Sequence, residues 1–334
     1  MNYIGSKYSL LDFLQETIQN VTGYQSGDNY VFADLFAGTG IVGASYRANG
    51  CTVISNDIQY YSYVLNKHYI ECSEAVPTSI LNTLNALEGL DGFVYNNYCE
   101  GSGCNRNYFT NDNGRKCDAI RSAIENMYHQ EIINDSVYYS VLASLINSID
   151  KYANTASVYG AFLKHIKQSA KKDFQLELLP TINGPVGSVY NEDINQLIRR
   201  ISGDVLYLDP PYNTRQYCAN YHVLETIARY DNPQLSGKTG LRNSDEQKSK
   251  FCSKRTVIDV FDDLIANADF KYIFLSYNNE GLMSLDTIRD IMSKYGQYSY
   301  YTKEYRRFKA DRDENRNITS KVTTEYLHCL IKEN

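Results

Sequence analysis

The chain has no tryptophan, only 6 prolines in 334 residues, and no apolar run near the roughly 18–20 residues of a membrane helix. A helical integral membrane protein is therefore excluded. The N-terminus, MNYIGSKYSL, has no apolar stretch after its first charge, which argues against a secretory signal. Eight cysteines scattered from Cys51 to Cys329 are too few for a disulfide scaffold and fit a reducing cytoplasm. Positive charge is also in deficit, 33 Lys and Arg against 39 Asp and Glu, for a formal net charge of −6. That balance weighs against a nucleic-acid partner, because such proteins usually show a basic footprint. Tyrosine, by contrast, is abundant at 31 residues, and aromatic faces stack on bases. An AT-rich genome, whose codons favour Tyr over Trp, is the competing explanation. The remaining composition, 43% hydrophobic and 22% charged, is an ordinary globular mixture. The length allows one large domain or a core with an inserted lobe.

Leu10, Leu11, Leu14, Ile18 and Val21 share a helical face within 9–21, and Ser9 with Asp12 reads as a capping-box start. The run VFADLF (31–36) leads into the glycine turn FAGTG (36–40) and a small-residue helix near 41–48. A second strand, CTVISND (51–57), and a helix near 58–70 complete a βαβ unit with short connections, which implies a parallel sheet. Near residue 92 the pattern changes to a polar, Asn- and Gly-rich stretch (93–118), with helices expected at 116–150 and 156–170 before the turn LLPTINGPVG (178–187). Residues 93–188 read as an inserted, mostly helical lobe.

Alternation resumes with SVYNEDI (188–194), a helix to about 201, and the strand DVLYL (204–208) that ends in DPPY. A helix near 217–230, a polar loop over 232–255, a helix at 257–267, a strand at 271–276, a helix at 284–294 and strands at 297–303 and 322–331 follow. The expected fold is α/β, a Rossmann-like domain formed by 1–92 and 189–334 and interrupted once.

The first candidate site is Asp34-Leu-Phe-Ala-Gly38-Thr-Gly40-Ile-Val-Gly43. A strand, a glycine turn and a helix bring backbone N–H groups to a ligand at the helix N-terminus. The segment satisfies GxGxxG and almost satisfies a Walker A loop, but Ala44 stands where the phosphate-binding Lys is required. Asp57, seventeen residues after Gly40, lies where an acid grips ribose hydroxyls, or else it caps the next helix. Nicotinamide dinucleotides and S-adenosylmethionine both remain open at this point.

Asp209-Pro210-Pro211-Tyr212 follows an apolar strand directly, at the sheet edge where α/β proteins bind ligands. The prolines stiffen the turn and remove two N–H donors, so carbonyls and the Asp209 carboxylate face the site with Tyr212 as an aromatic wall. Such acceptors suit a flat ring bearing an exocyclic amine. They take its protons and draw its lone pair out of conjugation, ready to attack an electrophilic methyl group. Hydride transfer has no use for this arrangement.

With these motifs in this order the chain resembles the alpha-class DNA N6-adenine methyltransferases, the Dam-like group. The matching pieces are Tyr3-Ile4-Gly5-Ser6-Lys7, Phe36-Ala37-Gly38-Thr39-Gly40, Asp57, Asn191-Glu-Asp193 and Asp209–Tyr212, with 93–188 in the position of the target-recognition region. The stretch Arg106-Asn-Tyr-Phe-Thr-Asn-Asp-Asn-Gly-Arg-Lys is similar to a segment of a subgroup of solitary and restriction-linked enzymes, which a short palindrome such as CATG would fit. The resemblance implies a Rossmann-like S-adenosylmethionine-dependent methyltransferase fold. It also implies methyl transfer to N6 of a flipped adenine in double-stranded DNA.

By position, Tyr3, Ile4, Gly5 and Lys7 would line the cofactor site, Lys7 near the methionine moiety, and Asp34 with Phe36 to Gly40 would wrap the cofactor. Asp57 and Ile58 would hold the ribose, Asp193 or Ile194 the cofactor's adenine, Asp209 and Pro210 the target amine, and Tyr212 would stack on the flipped base, with Pro211 part of the same catalytic turn. A restriction endonuclease sharing the target site, without having to touch this chain, is the implied companion.

DNA affinity needs phosphate contacts. Lys and Arg gather at 238–255 (including Lys248, Lys250, Lys254 and Arg255), at 303–321 (including Arg306, Arg307, Lys309 and Arg312) and around Lys164 and Lys167, expected on a helix. Arg215 just past Tyr212 is a further candidate DNA contact. Cys99, Cys104 and Cys117, with His129, lack paired CxxC knuckles, so no metal is expected. Cys218, His222 and Glu225 resemble a nucleophile set that methyl transfer does not need. The competing readings are an amino methyltransferase acting on RNA or protein glutamine, which more often has Asn in place of Asp209, and a nicotinamide oxidoreductase.

Overall fold

A computed structural model describes residues 6–306 and 322–333. In chain order it contains α1 (Leu11–Thr22), β1 (Val31–Asp34), α2 (Ile41–Ala48), β2 (Thr52–Asn56), α3 (Tyr60–Asn66), α4 (Thr78–Ala86), α5 (Phe93–Tyr98), α6 (Asn111–His129) and α7 (Asp135–Lys151). Then come β3 (Ser188–Tyr190), α8 (Ile194–Leu197), β4 (Ser202–Leu208), α9 (Tyr217–Asn220), α10 (His222–Arg229), β5 (Leu235–Ser236) and β6 (Leu241–Arg242). The rest is α11 (Val257–Asn267), β7 (Asp269–Asn278), α12 (Leu285–Met292), β8 (Gly296–Arg306) and β9 (Val322–Lys332). The chain divides into two compact units.

One unit comprises Gly5–Ile58, Ile182–Gln216 and Gln247–Asn334 and carries a seven-stranded sheet in the order β3-β2-β1-β4-β7-β9-β8. The pairs joining β3, β2, β1, β4 and β7 are parallel, and β9 is antiparallel to both β7 and β8. The chain runs outward from β1 to β3 and then returns to β4. The strand order therefore reverses between β1 and β4, the point where ligands bind beyond the carboxyl ends of strands. Those two ends are FAGTG and DPPY, and Asp34 stands beside Tyr207, two residues before Asp209. The central strands are apolar because both faces are covered. Leu206, Leu208, Ile273 and Leu275 pack with Phe261, Leu264 and Ile265 of α11 and Ile288, Ile291 and Met292 of α12. Full burial stabilises by about 1.5–3 kcal/mol for each such side chain.

The other unit comprises, among the described residues, Gln59–Thr181 and Tyr217–Glu246. Its axis is α7, whose Val137, Val141, Leu142, Leu145, Ile146 and Ile149 are buried among α3, α6 and α10. Helices start where side chains satisfy orphan N–H groups: Thr110 accepts from Asn113 at the head of α6, and Asn134 from Val137 at the head of α7. Tyrosine hydroxyls find backbone acceptors here, Tyr98 on the Gly240 carbonyl and Tyr108 on those of Tyr159 and Thr239.

Three expectations need correction. The helical unit does not coincide with 93–188: it begins at Gln59 and takes in Tyr217–Glu246. The reason is packing, since Tyr61, Val64 and Leu65 of α3 and Val223, Leu224 and Ile227 of α10 belong to the same core as α6 and α7. Residues 156–170 do not form a helix; only a short 3-10 turn at Gln168–Lys171 appears. Buried Asn154 holds the strand of chain around it by donating to the Asn107 and Leu163 carbonyls and accepting from the Lys167 amide. That side-chain bonding competes with the helical ladder. Finally, Ser9 does not cap α1, because a 3-10 turn over Tyr8–Leu10 moves the cap to Leu10, which makes no side-chain bond.

Candidate active site

The glycine turn after β1 is built by backbone bonds. Ala37 N–H donates to the Asn56 carbonyl at 3.0 Å and Gly40 N–H to the Ala37 carbonyl at 2.8 Å. Gly38 and Gly40 adopt φ values of 52° and 78°, the left-handed region that a side chain would strain. The Asp57 carboxylate accepts from the Gly38 amide at 2.8 Å, which fixes the turn against the end of β2. Asn56, which sequence reasoning passed over, ties three strand ends together: its amide donates to the Leu35 and Glu192 carbonyls and accepts from the Glu192 amide. Asn191 in turn donates to the Asp57 carbonyl at 2.6 Å.

Asp34 is buried below this turn, and neither of its carboxylate oxygens has a hydrogen-bond partner. Burial, reinforced by Asp209, pushes its pKa up to about 8, against the Gly43 amide, which falls short of a full hydrogen bond. Thr39 is half-buried in the turn, and Phe36 meets Phe251 edge to face at 5.0 Å. Asp193 caps α8 by accepting from the Asn195 and Gln196 amides, Ile194 packs into the core, and Ile58 is half-buried. Tyr3, Ile4 and Gly5 lie outside the described residues.

The DPPY turn after β4 forms the second half. Lys7 Nζ lies 2.9 Å from Asp209 Oδ1 and 3.1 Å from Glu325 Oε1, and it donates to Tyr212 Oη at 2.7 Å. Tyr212 Oη lies 2.8 Å from Asp209 Oδ1 and 2.6 Å from Glu325 Oε1. Thus Lys7 stands at the DPPY turn, joined to both carboxylates. Burial works to lower the Lys7 pKa, but Asp209 and Glu325 hold it well above the ordinary lysine value. Burial also raises Asp209, with Lys7 opposing. Pro210 is buried, Pro211 half-buried, and the Tyr212 ring packs on Tyr277 at 4.9 Å.

Glu325 is the functional-looking residue that the sequence reading missed. The signal was present, since in VTTEYLHCLI it falls in phase with the fully buried Leu327 and Cys329 of β9. An acid on the buried face of an alternating strand requires a partner.

The DNA candidates fall into distinct situations. Arg215, Lys248, Lys250, Lys254 and Arg255 are exposed on the sheet-bearing unit. On the helical unit Lys164 is exposed, while Lys167 is half-buried and donates to the Thr155 carbonyl at 3.0 Å. The latter pair sits on irregular chain, not a helix. Arg306 ends β8, and Arg307, Lys309 and Arg312 lie outside the described residues. All eight cysteines are free thiols, and among the described residues no group of His, Cys, Asp and Glu could hold a metal ion. His222 and Glu225 are buried in α10, where the His222 ring meets the Tyr159 carbonyl and Glu225 accepts from the Tyr60 and Tyr61 amides.

Three relatives similar in sequence to this chain are type II methyltransferases. The chain is 52% identical over 335 residues to the type II methyltransferase M.NlaIII of Neisseria lactamica, covering 99% of each chain. It is 38% identical to the type II methyltransferase M.CviAII of Paramecium bursaria Chlorella virus 1, covering 93% of each. It is 40% identical to M.FokI of Planomicrobium okeanokoites, spanning all of this chain and 53% of that longer one. Residues 3–291 match the MethyltransfD12 family, and the chain belongs to these D12 class N6 adenine-specific DNA methyltransferases.

Proposed function

We propose that the chain transfers a methyl group from S-adenosylmethionine to N6 of an adenine turned out of double-stranded DNA, with CATG as the target sequence. The observation that carries this reading is the half-buried Asp209 carboxylate at the end of β4, beside Lys7 and Tyr212, with β4 paired to the strand that leads into the FAGTG turn. Asp34, Asp57 and Asp209 influence one another electrostatically and are offset there by Lys7. This gathering of carboxyls, with an Asp34 carboxyl that lacks a partner and would ionise beside a cation, fits a cofactor that bears a sulfonium and an ammonium group. Bound there, that cofactor supplies an electrophilic methyl group.

The residues divide the work as follows. Tyr3, Ile4, Gly5, Asp34 and Phe36 to Gly40 form the cofactor cradle, Asp57 and Ile58 take the ribose, and Asp193 with Ile194 border the cofactor's adenine. Asp209 and the Pro210 carbonyl hold the two N6 protons, while the Tyr212 ring stacks on the extruded base. Extrusion costs a few kcal/mol, which pocket contacts offset. N6 becomes positive as it gains the methyl group, and the Asp209 carboxylate stabilises that charge and accepts the proton N6 gives up. Type II relatives and the Arg106 to Lys116 segment support a restriction-linked role in the cytoplasm, beside an endonuclease of the same site.

The test is methylation of a sequenced plasmid by purified protein with labelled cofactor, followed by mapping of modified adenines. Label confined to the adenine of CATG is expected, and Asp209→Asn is expected to lower the rate by at least about a thousandfold. Labelled RNA with unlabelled DNA overturns the reading.

A further inference from the structure

Lys7 occupies one oxygen of the carboxylate assigned to the target amine. Its ammonium lies 2.9 Å from Asp209 Oδ1, and the Tyr212 hydroxyl reaches the same oxygen at 2.8 Å. For an exocyclic amine to take that oxygen, both donors must turn to another acceptor. A buried ammonium left without one costs several kcal/mol. Glu325 Oε1 is 3.1 Å from Lys7 Nζ and 2.6 Å from Tyr212 Oη, so it is already within reach of both.

The Glu325 side chain is fully buried on β9, in phase with Leu327 and Cys329. Replacing a buried ion pair by apolar residues is often neutral or stabilising, so a carboxylate kept here is weak evidence of a stabilising role.

We propose that Glu325 is a positioning residue for methyl transfer: it holds the Lys7 ammonium and the Tyr212 hydroxyl when Asp209 takes the protons of the target amine. With Asp209 it also sets two carboxylates against one ammonium, leaving a net negative charge for the cation that develops on N6. The inference rests on the assignment of Asp209 to the target amine. Asp34, Asp209, Tyr207, Tyr212 and Lys7 are the titratable groups gathered at this cluster, and Lys303 lies opposite Glu325 across the β8–β9 ladder. The Glu325 charge raises the Asp209 pKa.

The experiment compares the wild-type enzyme with Glu325→Gln, Glu325→Asp and Asp209→Asn. It measures cofactor affinity by calorimetry, kcat and KM for a duplex oligonucleotide, and kcat against pH. Glu325→Gln is expected to lower kcat by at least about tenfold while cofactor affinity and KM stay within about twofold. With the neighbouring charge removed, Asp209 titrates lower, so the acid limb of kcat moves to lower pH. Glu325→Asp, which keeps the charge, recovers part of kcat and the wild-type limb; it also serves as the folded control if Glu325→Gln is unstable. Wild-type kcat in Glu325→Gln, or a loss of kcat matched by lost cofactor affinity with the acid limb unmoved, overturns the proposal. Full activity in Asp209→Asn instead overturns the underlying assignment, whatever Glu325 does.

Discussion

Asp34 shows at the scale of one residue how the cofactor cradle sets folding against binding. Its carboxyl is buried without a hydrogen-bond partner, and its pKa rises from an ordinary 3.8 to about 8. A carboxyl with a folded value above its unfolded value contributes stability below pH 4 that is lost as pH rises through 8. Asp34→Asn removes that dependence. It is expected to stabilise the fold at pH 9 relative to wild type by about 1–3 kcal/mol, seen as a higher melting temperature, with a smaller effect at pH 6. Calorimetry at the two pH values checks this, and an equal shift at both contradicts the stated origin. Cofactor affinity should fall in the same variant, because a cationic ligand would draw the proton off Asp34 and pair with a carboxylate that Asn cannot supply. Asp209 and Asp57 announced themselves in sequence through the motifs around them. Glu325 did not, since no motif surrounds it and its partners Lys7 and Tyr212 lie 318 and 113 residues away along the chain.

At the scale of elements, the turn between β1 and α2 is the part whose sequence and geometry agree most closely. Gly40 at φ 78° heads α2 directly, so any side chain there must take a left-handed conformation. Gly40→Ala is expected to cost about 1–2 kcal/mol in chemical denaturation and to weaken cofactor binding more than it weakens DNA binding. Equal losses in both affinities would assign the effect to general unfolding. The turn was legible because glycine spacing, the apolar strand before it and the small-residue helix after it all point to one structure. The same consistency made α11, β4 and β9 readable within a residue or two. It failed at 156–170, where a lysine-rich stretch with helical spacing is held as irregular chain by the three bonds of buried Asn154. It failed again at the domain boundary: α3 and α10 look in sequence like crossover helices of the sheet, yet their apolar faces pack into the core that α6 and α7 share. Which core an amphipathic helix joins is a tertiary choice that its own periodicity does not carry.

For the whole molecule, the tension lies in a net charge of −6 on a protein whose substrate is a polyanion. An average of this kind conceals its distribution. Residues 247–255 contain Lys248, Lys250, Lys254 and Arg255 with no acid among them, and all four cations are exposed. Some acids of the same unit are committed to cations, Asp263 with Arg199, Asp262 with Lys294 and Glu192 with Arg200. A cluster of this kind acts by displacing counterions from phosphates, a contribution that is strong at low salt and indifferent to sequence. Replacing Lys250, Lys254 and Arg255 together by Gln is therefore expected to lessen the slope of log affinity against log salt. The change should be about 0.9 for each phosphate that the variant no longer neutralises, or close to 3 in all. Affinity should fall in parallel for cognate and unrelated duplexes, leaving the preference between them intact, because phosphate contacts position the protein while base contacts discriminate. Fluorescence anisotropy over a salt series on both duplexes measures slope and preference together. An unchanged slope would place the DNA track elsewhere, and a loss confined to the cognate duplex would make this segment a reader of bases.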